Sequence, residues 1–208
     1  PEAINYALGI EKDIEEKFTD LEVYVSGVAA LNNAFAEAGM KDAGTITPIM
    51  FLMIFIMVGL IIRAWSPTIA VLILIILSTI VGMGIGGYAG IELTPISMAA
   101  PTVILTLAVA DAIHIYITLK SLMQEGMEKR EAIIESLKIN FLPVTITSAT
   151  TIVGFLALNF SDSPPYWHLG NITAIGIGAA WFFSITLLPV IINILPYKAK
   201  LGSEEAKD

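Results

Sequence analysis

Apolar residues in this chain occur in long unbroken runs rather than in stripes. Five runs are long enough to cross a bilayer core about 30 Å thick, which takes roughly 20 helical residues. They are 47–62 (TPIMFLMIFIMVGLII, extending upstream through Ala43 and Gly44), 68–90, about 95–119, 141–160 and about 169–195. A backbone in hydrocarbon must satisfy its own polar groups, so each run predicts a helix. The expected fold is a membrane all-α protein, a five-helix transmembrane bundle over residues 46–197 with a tail at 198–208.

The remainder is patterned differently. In residues 1–45, Ile4, Leu8, Glu11, Ile14 and Phe18 make a mostly apolar stripe at helical spacing, and LEVYVSG (21–27) alternates like a strand. VAALNNAFAEAGMKDAG then returns to helix. One helix, one strand and one helix cannot enclose a core. This α+β segment is therefore expected to be the end of a larger extracytoplasmic domain. Between the third and fourth runs, MEKREAIIESLKINF sets Ala132, Ile133, Ile134 and Leu137 against Glu128, Lys129, Arg130, Glu131 and Glu135. That predicts an amphipathic connector over 120–140 lying at the headgroups, broken from the third span at Gly126.

Composition supports the membrane reading. Only 14% of the 208 residues are charged, against about a quarter in soluble domains, and mean hydropathy is +0.79. The net charge of -8 is not one acidic surface, since nine of the nineteen acids fall in residues 1–45. With no cysteine, disulfides and thiolate metal sites are excluded. The chain opens PEAINYALG, without Met and without a basic-then-apolar leader, as expected of a piece of a longer polypeptide. Arg63, Lys120, Lys129, Arg130, Lys138, Lys198, Lys200 and Lys207 fall in the loops and tail of one side. The short loops of the other side, around 91–94 and 161–167, carry no Lys or Arg. The positive-inside rule then makes the tail cytoplasmic and the N-terminal segment extracytoplasmic.

Small residues recur every four positions as Gly82, Gly86 and Gly90 in the second span, and as Gly170, Ala174 and Gly178 in the fifth. Such spacing lets membrane helices approach closely, so these glycines are expected at helix contacts.

The candidate chemistry lies in LAVADAIHIYITL (107–119), where Asp111 and His114 are one turn apart in the third span. An ionised Asp at mid-bilayer costs roughly 2.5–3.5 kcal/mol. Such a group is expected to face the bundle and take a partner, and membrane acids placed this way often relay protons. The alternative is a fixed Asp–His hydrogen-bonded pair that staples helices. A metal site lacks further ligands, because the other histidine, His168, lies at the outer boundary of span five. Span four carries Thr145, Thr147, Ser148, Thr150 and Thr151 after Pro143. These hydroxyls, with Asn171 and Thr173, are expected to turn toward Asp111.

Several stretches, in this order, resemble the resistance–nodulation–division (RND) transporter superfamily, in its MmpL-like branch. VYVSGVAALNNAF is similar to the end of a porter loop, and LIIRAWSPTIAVLIL to the junction of transmembrane helices two and three. LAVADAIHIYITL resembles the helix-four signature. The stretch from REAIIESLKINFLPVTITSATTIVGF through the Pro-containing loop to NITAIG resembles helices four to six, which close with LLPVI. The resemblance implies helices two to six of one half of a proton-motive-force-driven exporter of hydrophobic or lipid-like substrates. It gives Asp111 the role of proton carrier in a relay with His114, which would tune its pKa or pass the proton, and Thr147, Thr150 and Thr151 the role of a supporting polar face. Val109 stands where many relatives have Gly. Expected partners are membrane lipids, the transported substrate, and a second half or second copy; no cofactor, metal or nucleic acid is expected. The same unit resembles the sterol-sensing domain, which implies lipid sensing without transport as the alternative. No nucleophile motif or second Asp on a neighbouring span supports an enzyme.

Overall fold

The computed structural model describes residues 2–18 and 20–196. The chain divides into two compact units, Pro1–Met50 and Phe51–Asp208. The expected tail at 198–208, with Lys198, Lys200 and Lys207, lies outside the described residues.

The first unit holds α1 (Glu2–Lys17) and α2 (Val28–Gly44). The LEVYVSG stretch differs from its expectation. It runs as irregular chain, because a strand's N–H and C=O groups need a neighbouring strand and none exists among the described residues. Local bonds serve instead: the Val23 N–H donates to Glu15 Oε1 at 3.4 Å, and the Tyr24 hydroxyl to Glu22 Oε2 at 2.9 Å. Leu8 and Phe18 of the predicted stripe are exposed, as two helices alone provide no surface to cover them.

α3 (Ile46–Ile62) enters the second unit at Phe51, and is followed by α4 (Trp65–Tyr88), α5 (Ala100–Gln124) and α6 (Lys129–Leu156). α7 (Pro164–Ile185) and α8 (Leu187–Ile194) complete it. Among the described residues, five helical segments are long and apolar enough to cross a membrane, so the fold is a membrane all-α bundle. α7 packs against α4, α5 and α6, while α4 meets α5 and α5 meets α6. α8 follows α7 after Thr186 alone, within the same spanning segment, and meets α4 and α6. Ala100, Ile104 and Ile172 form a fully buried knot where α5 and α7 meet.

Helix ends follow local chemistry. α4 and α5 both stop in Schellman motifs: Gly90 (φ 73) donates to the Gly87 carbonyl and Ile91 to Gly86, while Gly126 (φ 97) donates to Met123 and Met127 to Leu122. Before α5, Thr94 and Ser97 cap each other, each hydroxyl accepting from the other's backbone N–H at 2.7–3.2 Å.

Two boundaries differ from the sequence reading. α5 continues to Gln124, and the amphipathic connector is no separate interfacial helix but the start of α6, continuous with the fourth span. Ala132, Ile133, Ser136 and Asn140 of that stretch are buried against the bundle. The Ser136 hydroxyl donates to the Ile115 carbonyl of α5 at 2.6 Å, and Lys129 Nζ donates to the carbonyls of Asn193 and Leu195 at the end of α8. Pro143 does not end α6; the Thr147 hydroxyl donates to its carbonyl at 2.9 Å and the Asn140 amide to that of Ser136 at 2.8 Å.

Close glycine contacts join four helices, α4, α5, α6 and α7. A methyl group on Gly82 would come within 2.8 Å of Gly176 Cα and 2.9 Å of Ile104 Cδ1. One on Gly86 would meet Ile172 at 2.9 Å, one on Gly170 the Phe155 carbonyl, and one on Gly176 the Ile104 side chain. Gly90 makes no such contact and serves the turn instead; Gly178 has room, its nearest neighbour being Ile152 at 3.9 Å.

Candidate functional site

Asp111 sits near the middle of α5 and is 3% exposed, the only buried acid among the described residues. It faces α6, where Ser148, also 3% exposed, donates its hydroxyl to Asp111 Oδ2 at 3.0 Å. This is the one hydrogen bond to the carboxyl group among the described residues. Ser148 is presented by the stripe Val144–Ser148, one turn apart on the buried face of α6. One turn further along α5, the Ser136 bond to Ile115 closes the same seam.

His114 does not share that pocket. Its side chain is exposed, while its carbonyl accepts from the Thr118 hydroxyl. The threonines also point elsewhere. Thr147 and Thr150 are exposed and Thr151 half-buried, and each hydroxyl donates to the carbonyl one turn back on its own helix, at 2.7–2.9 Å. Thr145 accepts from Trp181 Nε1 at 2.9 Å and so ties α6 to α7. Asn171 exchanges both amide bonds with Asn159, at 2.8 and 3.1 Å, toward the other end of the bundle. Thr173 is fully buried in α7. His168 is 5% exposed at the start of α7, its ring edge-on to Trp167 with centroids 4.0 Å apart.

Sequence reasoning placed Ser148 within the polar span but did not single it out as the residue that meets Asp111. The signal was its phase: Val144 and Ser148 repeat at i, i+4, with the small Ser in the position facing α5. Gly176 was also missed, because it falls outside the four-residue repeat of Gly170, Ala174 and Gly178. Chemically, the arrangement offers one protonatable oxygen pair held by a single neutral donor between two spanning helices. Among the described residues no group of three His, Cys, Asp or Glu side chains gathers as a metal site would require.

The family model for the MMPL family matches residues 2–205. The putative membrane protein MJ1562 of Methanocaldococcus jannaschii is 30% identical over 178 residues, covering 84% of this chain and 45% of that protein. The probable transport protein MmpL2 of Mycobacterium tuberculosis is 29% identical, covering 84% of this chain and 18% of its own length. The siderophore exporter MmpL5 of the same organism is 27% identical, with 87% and 19% covered. The chain thus spans less than half the length of each of these relatives.

Proposed function

The chain belongs to the MMPL family, and on that premise we propose that it is half of the membrane domain of a proton-motive-force-driven exporter of hydrophobic or lipid-like substrates. The observation that carries this reading is the burial of Asp111 between two spanning helices with a single hydroxyl partner. A carboxyl group so placed gains or loses a full charge at the centre of the bundle whenever its proton arrives or leaves. Helix packing around it must then respond, and that response links proton movement to movement of the protein. In this reading Asp111 carries the proton, and Ser148 holds the carboxyl group in the α5–α6 seam. His114 and the Thr147–Thr150 face serve at a contact with the second half of the transporter or a second copy. Residues 1–45 would belong to an extracytoplasmic porter domain, and the basic loops would face the cytoplasm across an inner membrane.

The test is Asp111→Asn in the full-length transporter. Asn can still accept the Ser148 hydrogen bond, so folding and membrane insertion are expected to persist while proton-coupled export is lost. Normal export by this variant would refute the proton-carrying role. Specific lipid binding without proton movement would favour a sensing bundle instead.

A further inference from the structure

The turn between α3 and α4 consists of Arg63 and Ala64 alone. Arg63 closes α3 with its N–H donating to the Gly59 carbonyl at 2.8 Å and its backbone in the left-handed region, φ 53. That position favours glycine, which α4 and α5 use at their own ends, and Arg63 is the only non-glycine residue with positive φ among the described residues. Backbone strain of this kind clusters at ligand clamps and switch regions, where a side chain has a use. Nothing within the described chain supplies one: the guanidinium has no carboxylate partner, and the one ion pair there joins Lys138 to Glu135.

Beside Arg63, a groove of about 450 Å³ opens laterally along α3 and the start of α4. Phe55, Ile56, Gly59, Leu60, Trp65 and Thr68 line it. Its walls are apolar by construction. The Thr68 hydroxyl turns back to the Ala64 carbonyl at 2.8 Å, and its methyl lies on the side of Gly59, 3.8 Å from where a Gly59 side chain would begin. The rings of Phe55 and Trp65 stand 6.3 Å apart, and Trp65 is exposed in the manner of an interfacial anchor. Tyr116, buried in α5, donates its hydroxyl to the Ile62 carbonyl at 3.2 Å and so ties the end of α3, next to Arg63, to the bundle. From Phe55 to Arg63 the helix rises about 12 Å, close to the roughly 15 Å depth of a single leaflet.

We propose that this groove binds an anionic phospholipid from the leaflet on Arg63's side, with one acyl chain between α3 and α4 and the headgroup on Arg63. The groove's apolar walls, its run of about 12 Å along α3, and at one end a cation with no carboxylate partner among the described residues together match such a lipid. The site uses neither Asp111 nor Ser148, so it stands or falls independently of proton coupling.

The test reconstitutes the full chain in nanodiscs of phosphatidylcholine with a minor fraction of phosphatidylglycerol. The protein is then released into detergent, and the lipids it retains are counted by native mass spectrometry. Wild type is expected to retain phosphatidylglycerol preferentially. Arg63→Gly, whose glycine suits φ 53, is expected to melt no lower than wild type yet to lose the preference by about fivefold. Arg63→Lys should keep most of it. Gly59→Leu, which fills the groove from a helical position with space for a side chain, should lower retention of both lipids. An undiminished phosphatidylglycerol preference in Arg63→Gly would overturn the headgroup assignment. Wild-type retention in Gly59→Leu would overturn the groove as the acyl site.

Discussion

Replacing Gly82 with Ala tests how tightly α4, α5 and α7 are joined. The added methyl carbon would lie 2.8 Å from Gly176 Cα, 3.2 Å from Gly176 N and 2.9 Å from Ile104 Cδ1. Carbon atoms in contact prefer about 3.5–4.0 Å, so α4 and α7 must part by roughly 0.7–1.2 Å. Ile104 can change rotamer, but the Gly176 backbone has no such freedom. Overpacking of this kind costs about 1–3 kcal/mol. Gly84, two residues on, is exposed, and the first carbon of a side chain there would have nothing within 4 Å. Gly84→Ala should therefore gain about 0.5–1 kcal/mol from the better helix propensity of alanine. At roughly 2–4 °C per kcal/mol for a chain of this size, the two variants should melt at least about 3 °C apart in the same detergent. Thermal unfolding followed by intrinsic fluorescence reads the difference directly. Equal melting temperatures for Gly82→Ala and Gly84→Ala would show that the crossing is not held at the distance described, and the packing argument would fail.

Ser148→Ala removes the hydroxyl donor from the buried Asp111 carboxyl group and should cost about 1–3 kcal/mol in thermal or denaturant unfolding; a neutral result would place another donor at Asp111. Gly126→Ala forces a side chain into φ 97 at the end of α5 and is expected to lower stability by about 1 kcal/mol, whereas an unchanged midpoint would mean that the turn adopts another conformation. A double-mutant cycle on Asn159 and Asn171, which exchange two amide bonds, should give a coupling of about 0.6 kcal/mol and at most about 1.7 kcal/mol. Additive single effects would mean the pair does not form.

Hydropathy alone marked five apolar runs, and among the described residues five helical segments are long and apolar enough to cross a membrane, because a run of about 20 apolar residues has few other homes. Boundaries were less legible where the run met charged residues. Glu, Lys and Arg are good helix formers, so α5 passes through Lys120 to Gln124, and α6 takes in the charged stretch from Lys129 without a break. Only the short turn at Gly126, with its positive φ, interrupts them. Strand alternation in 21–27 was a real pattern, but alternation specifies which side chains share a face and supplies no partner strand. Arg63 could not be identified from sequence at all, since its interest lies in a backbone angle and a groove.

The site itself turned on helix phase, which spacing resolves only coarsely. Residues i and i+3 are offset by about 60° around a helix axis, and neighbours by about 100°. At the edge of a buried seam, that first offset is enough to divide Asp111, 3% exposed, from His114, which is exposed. The second divides Ser148, which meets Asp111, from Thr147, which bonds its own helix. The same residues that read as one polar cluster in sequence therefore form two surfaces. One is an inward seam where a single hydroxyl meets a single carboxyl group. The other is an outward face of α5 and α6 carrying an imidazole and hydroxyls. The threonines suit lipid and a second bundle equally, because their hydroxyls are already bonded to backbone carbonyls. An imidazole has no such internal partner one turn back, and leaving its nitrogens in hydrocarbon is costly. That asymmetry is the physical reason for assigning the outward face of α5, in the proposed transporter, to a contact with a second bundle rather than to lipid.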